Sequence, residues 1–249
     1  MSLRDLVVGR IHAVLHSDAV FRRRFPDVDS RVREIFNKVK PYTMTSPERV
    51  IGLCDAVRYV VANGVEGAIV ECGVWRGGSS MAAALMLSGL GAANRDLYLF
   101  DTFEGMSEPG ELDRRAGDAA GAADLLATST KGDKVWAYSP IDEVRKNLAS
   151  TGYPLERISF VQGKVEDTIP GHAPDRIALL RLDTDWYAST RHELTHLYPL
   201  ISKSGVLIID DYGAWEGARR AVDEYIAATG ATILLNRIDE TGRIGVKLR

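Results

Sequence analysis

The segment Ile69-Val-Glu-Cys-Gly-Val-Trp-Arg-Gly-Gly-Ser-Ser80 passes from an apolar run through a glycine turn into a helical stretch over residues 81–87. That is the layout of a first strand–turn–helix crossover in a nucleotide-binding sheet. Its details narrow the ligand. A pyrophosphate site needs glycine in the middle of Gly-x-Gly-x-x-Gly so that the backbone can approach the phosphates, and Trp75 stands there instead. Glu71 ends the strand with a carboxylate that would repel phosphate. It suits a zwitterionic, cationic ligand such as S-adenosylmethionine (SAM), held through its amino group, and Gly73, Gly77 and Gly78 leave room for it.

Upstream of this turn, Ser46-Pro47-Glu48 supplies an N-cap, a first-turn proline and an early acid. The apolar positions Val50, Ile51, Cys54, Val57, Val60 and Val61 follow until Asn63-Gly64 ends the helix. Earlier still, Leu3, Leu6, Val7, Ile11, Val14 and Leu15, and then Val32, Ile35, Phe36 and Val39, recur at helical spacing, so residues 1–40 read as a helical extension. Downstream, apolar runs at 97–101, 158–162, 177–183 and 206–210 are each separated by enough chain for a crossover helix. With residues 68–71 they imply a doubly wound parallel sheet. Residues 231–235 and 243–248 flank a turn-forming Asp239-Glu-Thr-Gly242 and can pair only as an antiparallel hairpin. Five parallel strands closed by a hairpin resemble the Rossmann-like, seven-stranded class I methyltransferase sheet more than a six-stranded dinucleotide-binding one. The chain reads as a single α/β domain over residues 1–249 with one irregularity. Residues 104–140 are rich in Gly, Ala, Asp and Ser and longer than a usual connection, which suits a mobile lid or a solvated loop with a short helix near 119–127.

Composition bounds the rest. The chain has 249 residues, 45% of them hydrophobic, and a formal charge of −3, so it can bury a full core and has no general basic field to capture nucleic acid or anionic lipid. No run approaches the roughly 18 apolar residues of a membrane span, and charge interrupts the first 25 residues too often for a signal peptide or an anchor. Cys54 and Cys72 sit in apolar segments and read as reduced, buried thiols, which points to the cytoplasm.

Two further groups carry chemistry. Asp101, closing the run 97–101, is placed to accept both hydroxyls of a ribose, a feature that NAD and SAM sites share. Gly163 permits close backbone approach and Val165 offers an apolar wall where an adenine would lie. Asp183 and Asp185 then end one strand and Asp210 and Asp211 the next, where ligands bind in open parallel sheets. Four carboxylates there repel one another unless a cation or shared protons compensate, and such a density of hard oxygen donors suits Mg²⁺. Asp185 and Asp211 could instead cap the helices that follow, and at least one of the four acids is expected to do only that. Cys/His zinc spacing is absent; His192 and His196 share a helix face as a packed or solvent-facing pair.

With these residues in view, the sequence resembles the macrocin O-methyltransferase family, metal-dependent enzymes that methylate deoxysugar hydroxyls on glycosylated natural products. The resemblance rests on Tyr42-Thr-Met44, Glu71-Cys-Gly-Val-Trp-Arg-Gly-Gly78, Phe100-Asp-Thr-Phe-Glu-Gly105, Val165-Glu-Asp-Thr168, Arg181-Leu-Asp-Thr-Asp-Trp-Tyr187 and Ile208-Ile-Asp-Asp-Tyr-Gly213. It implies a SAM site at Thr43, Met44, Glu71, Gly73, Trp75, Gly77, Gly78, Ser79, Asp101, Phe103, Gly163 and Val165. It also implies Mg²⁺ or a similar divalent cation on Asp183, Asp210 and Asp211, with Asp185 as general base and Asp183 as the alternative. The expected partner is a glycosylated small-molecule acceptor, with no nucleic acid or membrane, in a homo-oligomer joined through the N-terminal helices. Three rival functions are a catechol-type O-methyltransferase, an NAD-linked oxidoreductase, which Trp75 opposes, and an inactive SAM-fold module, which the four strand-end acids oppose.

Overall fold

Strands β1 (Ala68–Cys72), β2 (Leu97–Asp101), β3 (Ile158–Gln162), β4 (Ile177–Leu182) and β5 (Ile201–Ile209) run parallel at the centre of a computed structural model that describes residues 18–117 and 121–248. β7 (Arg243–Val246) joins antiparallel to β5, and β6 (Asn236–Arg237) antiparallel to β7. The sheet order is β3-β2-β1-β4-β5-β7-β6, so strand order reverses between β1 and β4, and ligands in such sheets bind at that switch point.

Among the described residues the α-helices are α1 (Asp18–Arg24), α2 (Ser30–Val39), α3 (Pro47–Ala62), α4 (Gly78–Gly89), α5 (Ala122–Ala127), α6 (Ile141–Ala149), α7 (Val165–Thr168), α8 (Tyr187–Leu197) and α9 (Glu216–Thr229). The expected cap of α3 is in place, Ser46 accepting from Arg49 N at 3.2 Å, a contact typically worth about 1 kcal/mol. Asp29 does the same for α2, accepting from Val32 N at 2.9 Å.

Alternation along the strands divides the core in two. Ile69, Leu97, Leu99, Leu179, Val206 and Ile208 face α2, α3, α4 and α6, while Val70, Cys72, Phe100, Leu180, Leu182, Leu207 and Ile209 face α8 and α9. The same period puts Glu71, Arg181 and Asp210 on the α3 side, where an apolar residue would otherwise stand. Both cysteines are free and buried.

The hairpin departs from expectation. Residues 231–235 form no strand, and β6 is the two residues that follow, because the turn at Asp239–Gly242 registers Asn236 with Ile244 and Arg237 with Arg243. The preceding segment lies hard against β7 instead: a Cβ on Gly245 would meet Ile233 Cγ1 and Leu234 O, both at 2.8 Å. β7 stops at Val246, β4 at Leu182, and β5 starts five residues early, at Ile201. The helical pattern over residues 3–15 lies outside the described residues.

Candidate active site

At the carboxyl ends of β1, β2, β4 and β5 a cavity of about 370 Å³ opens, the size of a small-molecule site. Thr43, Met44, Glu71, Gly73, Trp75, Gly78, Ser79, Asp101, Gly163, Val165 and all four strand-end aspartates line it. Gly77 and Phe103 do not. The missing Cβ of Gly77 serves packing, since one there would meet Leu148 Cδ2 of α6 at 2.7 Å, and Phe103 is buried in the α3-side core.

Gly73 has a positive φ of 82°, and a Cβ on it would lie 2.0 Å from the carbonyl oxygen of Asp183. Glycine here lets the ends of β1 and β4 close on each other, and Asp183 N donates to Cys72 O at 2.8 Å. The glycine turn and the acidic turn are thereby one unit.

Asp101 is occupied by backbone. Its Oδ2 accepts from Val74 N at 2.6 Å and from Trp75 N at 3.0 Å, and its Oδ1 from Phe103 N at 2.7 Å. Burial pushes its carboxyl up, and these amides pull it back. It therefore shapes the glycine turn, including Trp75 at φ 47°, while still lining the cavity.

Glu71 is 4% exposed and paired on both oxygens. Arg181 Nη1 donates to Oε1 at 2.6 Å, across the β1–β4 register that sets Glu71 opposite Arg181, and Ser80 donates its hydroxyl to Oε2. Arg181 also donates to Asp210 Oδ1 at 2.7 Å and contacts Asp183 Oδ2 at 2.8 Å. From α3, Arg49 reaches Asp210 Oδ2 and donates through Nε to Asp239 Oδ2 at 2.9 Å. Asp239 in turn accepts from the Ser46 hydroxyl at 2.5 Å and from Gly242 N at 2.7 Å, so the hairpin turn, the start of α3 and the acidic cluster share one network. Burial opposes the charge on Arg181, but Asp183, Asp210 and Glu71 outweigh it and hold it firmly cationic.

These arginines are what reading the sequence missed. Arg181 carried a signal, an arginine amid the apolar residues of a central strand; Arg49 carried none, because its meeting with Asp210 and with the turn residue Asp239 depends on the tertiary fold.

Two cations do not neutralise the cluster. Asp183, Asp210 and Asp211 each offer a carboxylate oxygen within 4.8 Å of the others. Burial raises Asp183 strongly, with Arg181 opposing, and raises Asp211 strongly, helped by Asp185 and Asp210. Asp185, in left-handed backbone at φ 66°, is pushed up to about 7 by burial and then by Asp183. Its N–H donates to Asp211 Oδ2 at 3.2 Å. Neither Asp185 nor Asp211 caps a helix with its side chain: α8 and α9 begin after Trp186 and Trp215 without local side-chain caps. The expectation that one acid serves only as a cap is thus overturned. A cluster of hard oxygen donors still short of positive charge fits a divalent cation.

Residues 104–140 wall the cavity through Met106, Ser107, Arg115 and Ala137. They contain α5, and Met106, Val135 and Trp136 pack with Ala122, Leu126, Trp186 and Trp215, whose two indoles meet edge-on at 4.9 Å. On α8 the rings of His192 and His196 lie 4.4 Å apart and His192 Nε2 is 2.9 Å from Ile169 O, a packed pair.

A sheet of this order, with a glycine turn after its first strand and acids just after β4 and β5 over one cavity, defines a class I methyltransferase. The macrocin-O-methyltransferase (TylF) family model matches residues 8–245, and the chain belongs to that family and is an O-methyltransferase. It is 36% identical over 87% of its length to the 8-demethyl-8-(2,3-dimethoxy-alpha-L-rhamnosyl)-tetracenomycin-C 4'-O-methyltransferase of Streptomyces olivaceus, covering 80% of that protein. To the demethyldecarbamoylnovobiocin O-methyltransferase of Streptomyces niveus it is 33% identical, with 96% and 90% coverage. Among solved structures, the O-methyltransferase NovP matches with a TM-score of 0.73 and 33% identity over 84% of this chain and 83% of that one.

Proposed function

We propose that the protein transfers a methyl group from SAM to a sugar hydroxyl of a glycosylated natural product, with a divalent cation as cofactor. The observation that carries this reading is the convergence of Asp183, Asp210 and Asp211 within 4.8 Å in the cavity that the glycine turn and Asp101 also line. The relatives add the acceptor class, since the name of the tetracenomycin enzyme specifies a rhamnosylated acceptor.

In this reading Thr43, Met44, Gly73, Trp75, Gly78, Ser79, Asp101, Gly163 and Val165 surround the methyl donor, and Glu71 lies beneath its amino end. Asp183, Asp210 and Asp211 would hold Mg²⁺, which when bound lowers the pKa of an acceptor hydroxyl and fixes its orientation. Transfer is an in-line displacement, so the chain's task is alignment and removal of one proton. Asp185, close to neutral in its affinity for a proton, takes that proton. Residues 104–140 exclude water from the acceptor side. Two buried free thiols suit a cytoplasmic setting.

The test is methyl transfer from SAM onto rhamnosylated, other deoxysugar-bearing and catechol acceptors, followed by mass spectrometry with added Mg²⁺ and with excess chelator. Magnesium-dependent methylation of a glycosylated acceptor is expected. Methylation of catechols alone, or full transfer in chelator, would overturn the reading.

A further inference from the structure

One buried carboxylate of residues 104–140 does not line the cavity. Asp113, within residues 104–140, is 2% exposed. Its Oδ2 accepts from Gly110 N at 2.7 Å, which closes a local turn, and its Oδ1 accepts from Tyr187 N, also at 2.7 Å. Tyr187 opens α8, whose preceding residue, Trp186, offers no side-chain acceptor. A carboxylate from 74 residues earlier therefore fills the place of the missing cap, where an anion also meets the positive end of the helix dipole.

The same carboxylate sets the spacing to α9. A Cβ on Gly217 would lie 2.0 Å from Asp113 Oδ1 and 3.1 Å from Tyr187 N, so a glycine alone allows the first turn of α9 to come this close. Backbone contacts reinforce the junction: Glu216 N donates to Arg114 O at 2.9 Å and Ala116 N to Ala214 O at 2.8 Å. The indole of Trp186 donates to Ser107 O at 3.0 Å. α8 begins two residues after Asp185, and Ala214 and Trp215, just before α9, both donate their N–H groups to Asp211 O.

We propose that Asp113 is a positioning residue that locks the acceptor wall onto the two turns carrying Asp185 and Asp211. Met106, Ser107 and Arg115 then keep a fixed place relative to the acids, and the segment is a docked wall. The hydrogen bonds of Asp113 go to Gly110, Ala122 and Tyr187, none of which lies on β1, β2 or β3, so the methyl-donor half of the cavity should not depend on it. The kinetic consequence rests on the function proposed above; the lock itself does not.

Hydrogen exchange on the full chain tests the lock with three variants, Asp113→Ala, Asp113→Asn and Gly217→Ala. Gly217→Ala presses on the carboxylate from the far side while improving helix propensity, so loosening at this junction in that variant cannot come from a weaker helix. Asp113→Ala and Gly217→Ala should speed exchange about tenfold or more in residues 106–116 and in the first turns of α8 and α9, the scale of a lost hydrogen bond to a charged group. α3 and β1–β3 should not change, and affinity for S-adenosylhomocysteine should stay within about twofold of wild type. Asp113→Asn, which keeps one acceptor oxygen, should fall between. With a rhamnosylated tetracenomycin as acceptor, Asp113→Ala should raise the acceptor KM and leave the KM for SAM alone, with partial recovery in Asp113→Asn. Faster exchange in residues 106–116 alone, uniform loosening of the sheet, or lost S-adenosylhomocysteine binding would each overturn the proposal. If wild type methylates no acceptor, the proposed function fails while the exchange pattern still decides the lock.

Discussion

The two halves of the cavity hold their carboxylates in opposite ways. On the β1–β2 side, Asp101 is gripped by three backbone amides from its own loop and from the glycine turn, all within 30 residues of it. On the β4–β5 side, Asp183 and Asp210 are balanced by the guanidiniums of Arg181 and Arg49, and the second of these crosses 161 residues of sequence to reach Asp210. The first half is held by main-chain donors. The second is a charge balance, sensitive to the loss or gain of any one ion. Glu71 belongs to both, since it lies near the end of β1 and pairs with the arginine of β4.

If the acidic half exists to hold a divalent cation, Asp183→Asn and Asp210→Asn should produce the largest effect. Methyl transfer should fall at least about 100-fold, with S-adenosylhomocysteine affinity in calorimetry nearly intact, as when metal activation of a hydroxyl is lost. Equal losses of binding and turnover would merge the two halves and remove the contrast. Next in size is Arg181→Met. It leaves Glu71, Asp183 and Asp210 without their shared cation, and removing one partner of a buried ion pair costs about 3–5 kcal/mol, readable as a lower urea midpoint. A midpoint like that of wild type would show that the carboxylates already share protons and need no cation.

The main-chain half should yield less. Asp101→Ala orphans three amides and removes any ligand contact, so S-adenosylhomocysteine binding should weaken by about 1.5–3 kcal/mol, the worth of a hydrogen bond to a charged group. Asp101→Asn can still accept on one side and should lose less; identical losses would assign the effect to charge alone.

The smallest effect concerns Glu193, 0% exposed on α8, whose two oxygens accept from the Thr184 hydroxyl at 3.0 and 3.2 Å. Burial raises its carboxyl well above the ordinary range, and the Thr184 hydroxyl opposes only in part. A carboxylate raised on folding gives stability that is full below its unfolded value, near 4.3, and lost as pH rises through the folded one. Glu193→Gln should therefore out-stabilise wild type at pH 8 by an amount that shrinks to nothing toward pH 4. A wild-type profile without that slope would mean a cation compensates Glu193.

This contrast also explains what could be seen in the chain before its structure. The sheet, the hairpin turn, the cap at Ser46 and the cavity-lining acids are local patterns, set by alternation, by capping chemistry or by a residue's place at a strand end, so they were legible. Arg49 and Asp113 act on partners far along the chain and nothing in their own neighbourhoods marks them, while Asp239 was legible as a turn residue but not as the partner of Arg49 and Ser46. Gly77 departs from expectation for the same reason: its missing side chain admits that of Leu148, and no local pattern names that neighbour, whereas Gly73 lines the cavity as expected and also admits the carbonyl of Asp183. Residues 231–235 have strand composition but lie against Gly245, and composition cannot report such crowding.

The contact between Ser46 and Asp239 has a meaning in time as well as in space. Its partners are 193 residues apart, and at ordinary rates of synthesis the second leaves the ribosome roughly 10–40 s after the first. During that interval the start of α3 waits without the carboxylate that joins Ser46 to Arg49. Asp183 and Asp210 emerge before the aspartate that steadies that arginine. A nascent chain arrested before residue 239 thus lacks the carboxylate that takes the second hydrogen bond of Arg49 and the hydroxyl of Ser46. For this fold, completion of the acidic centre is a late event in the birth of the molecule, and a stalled product carries the shape of an enzyme with its charges unsettled.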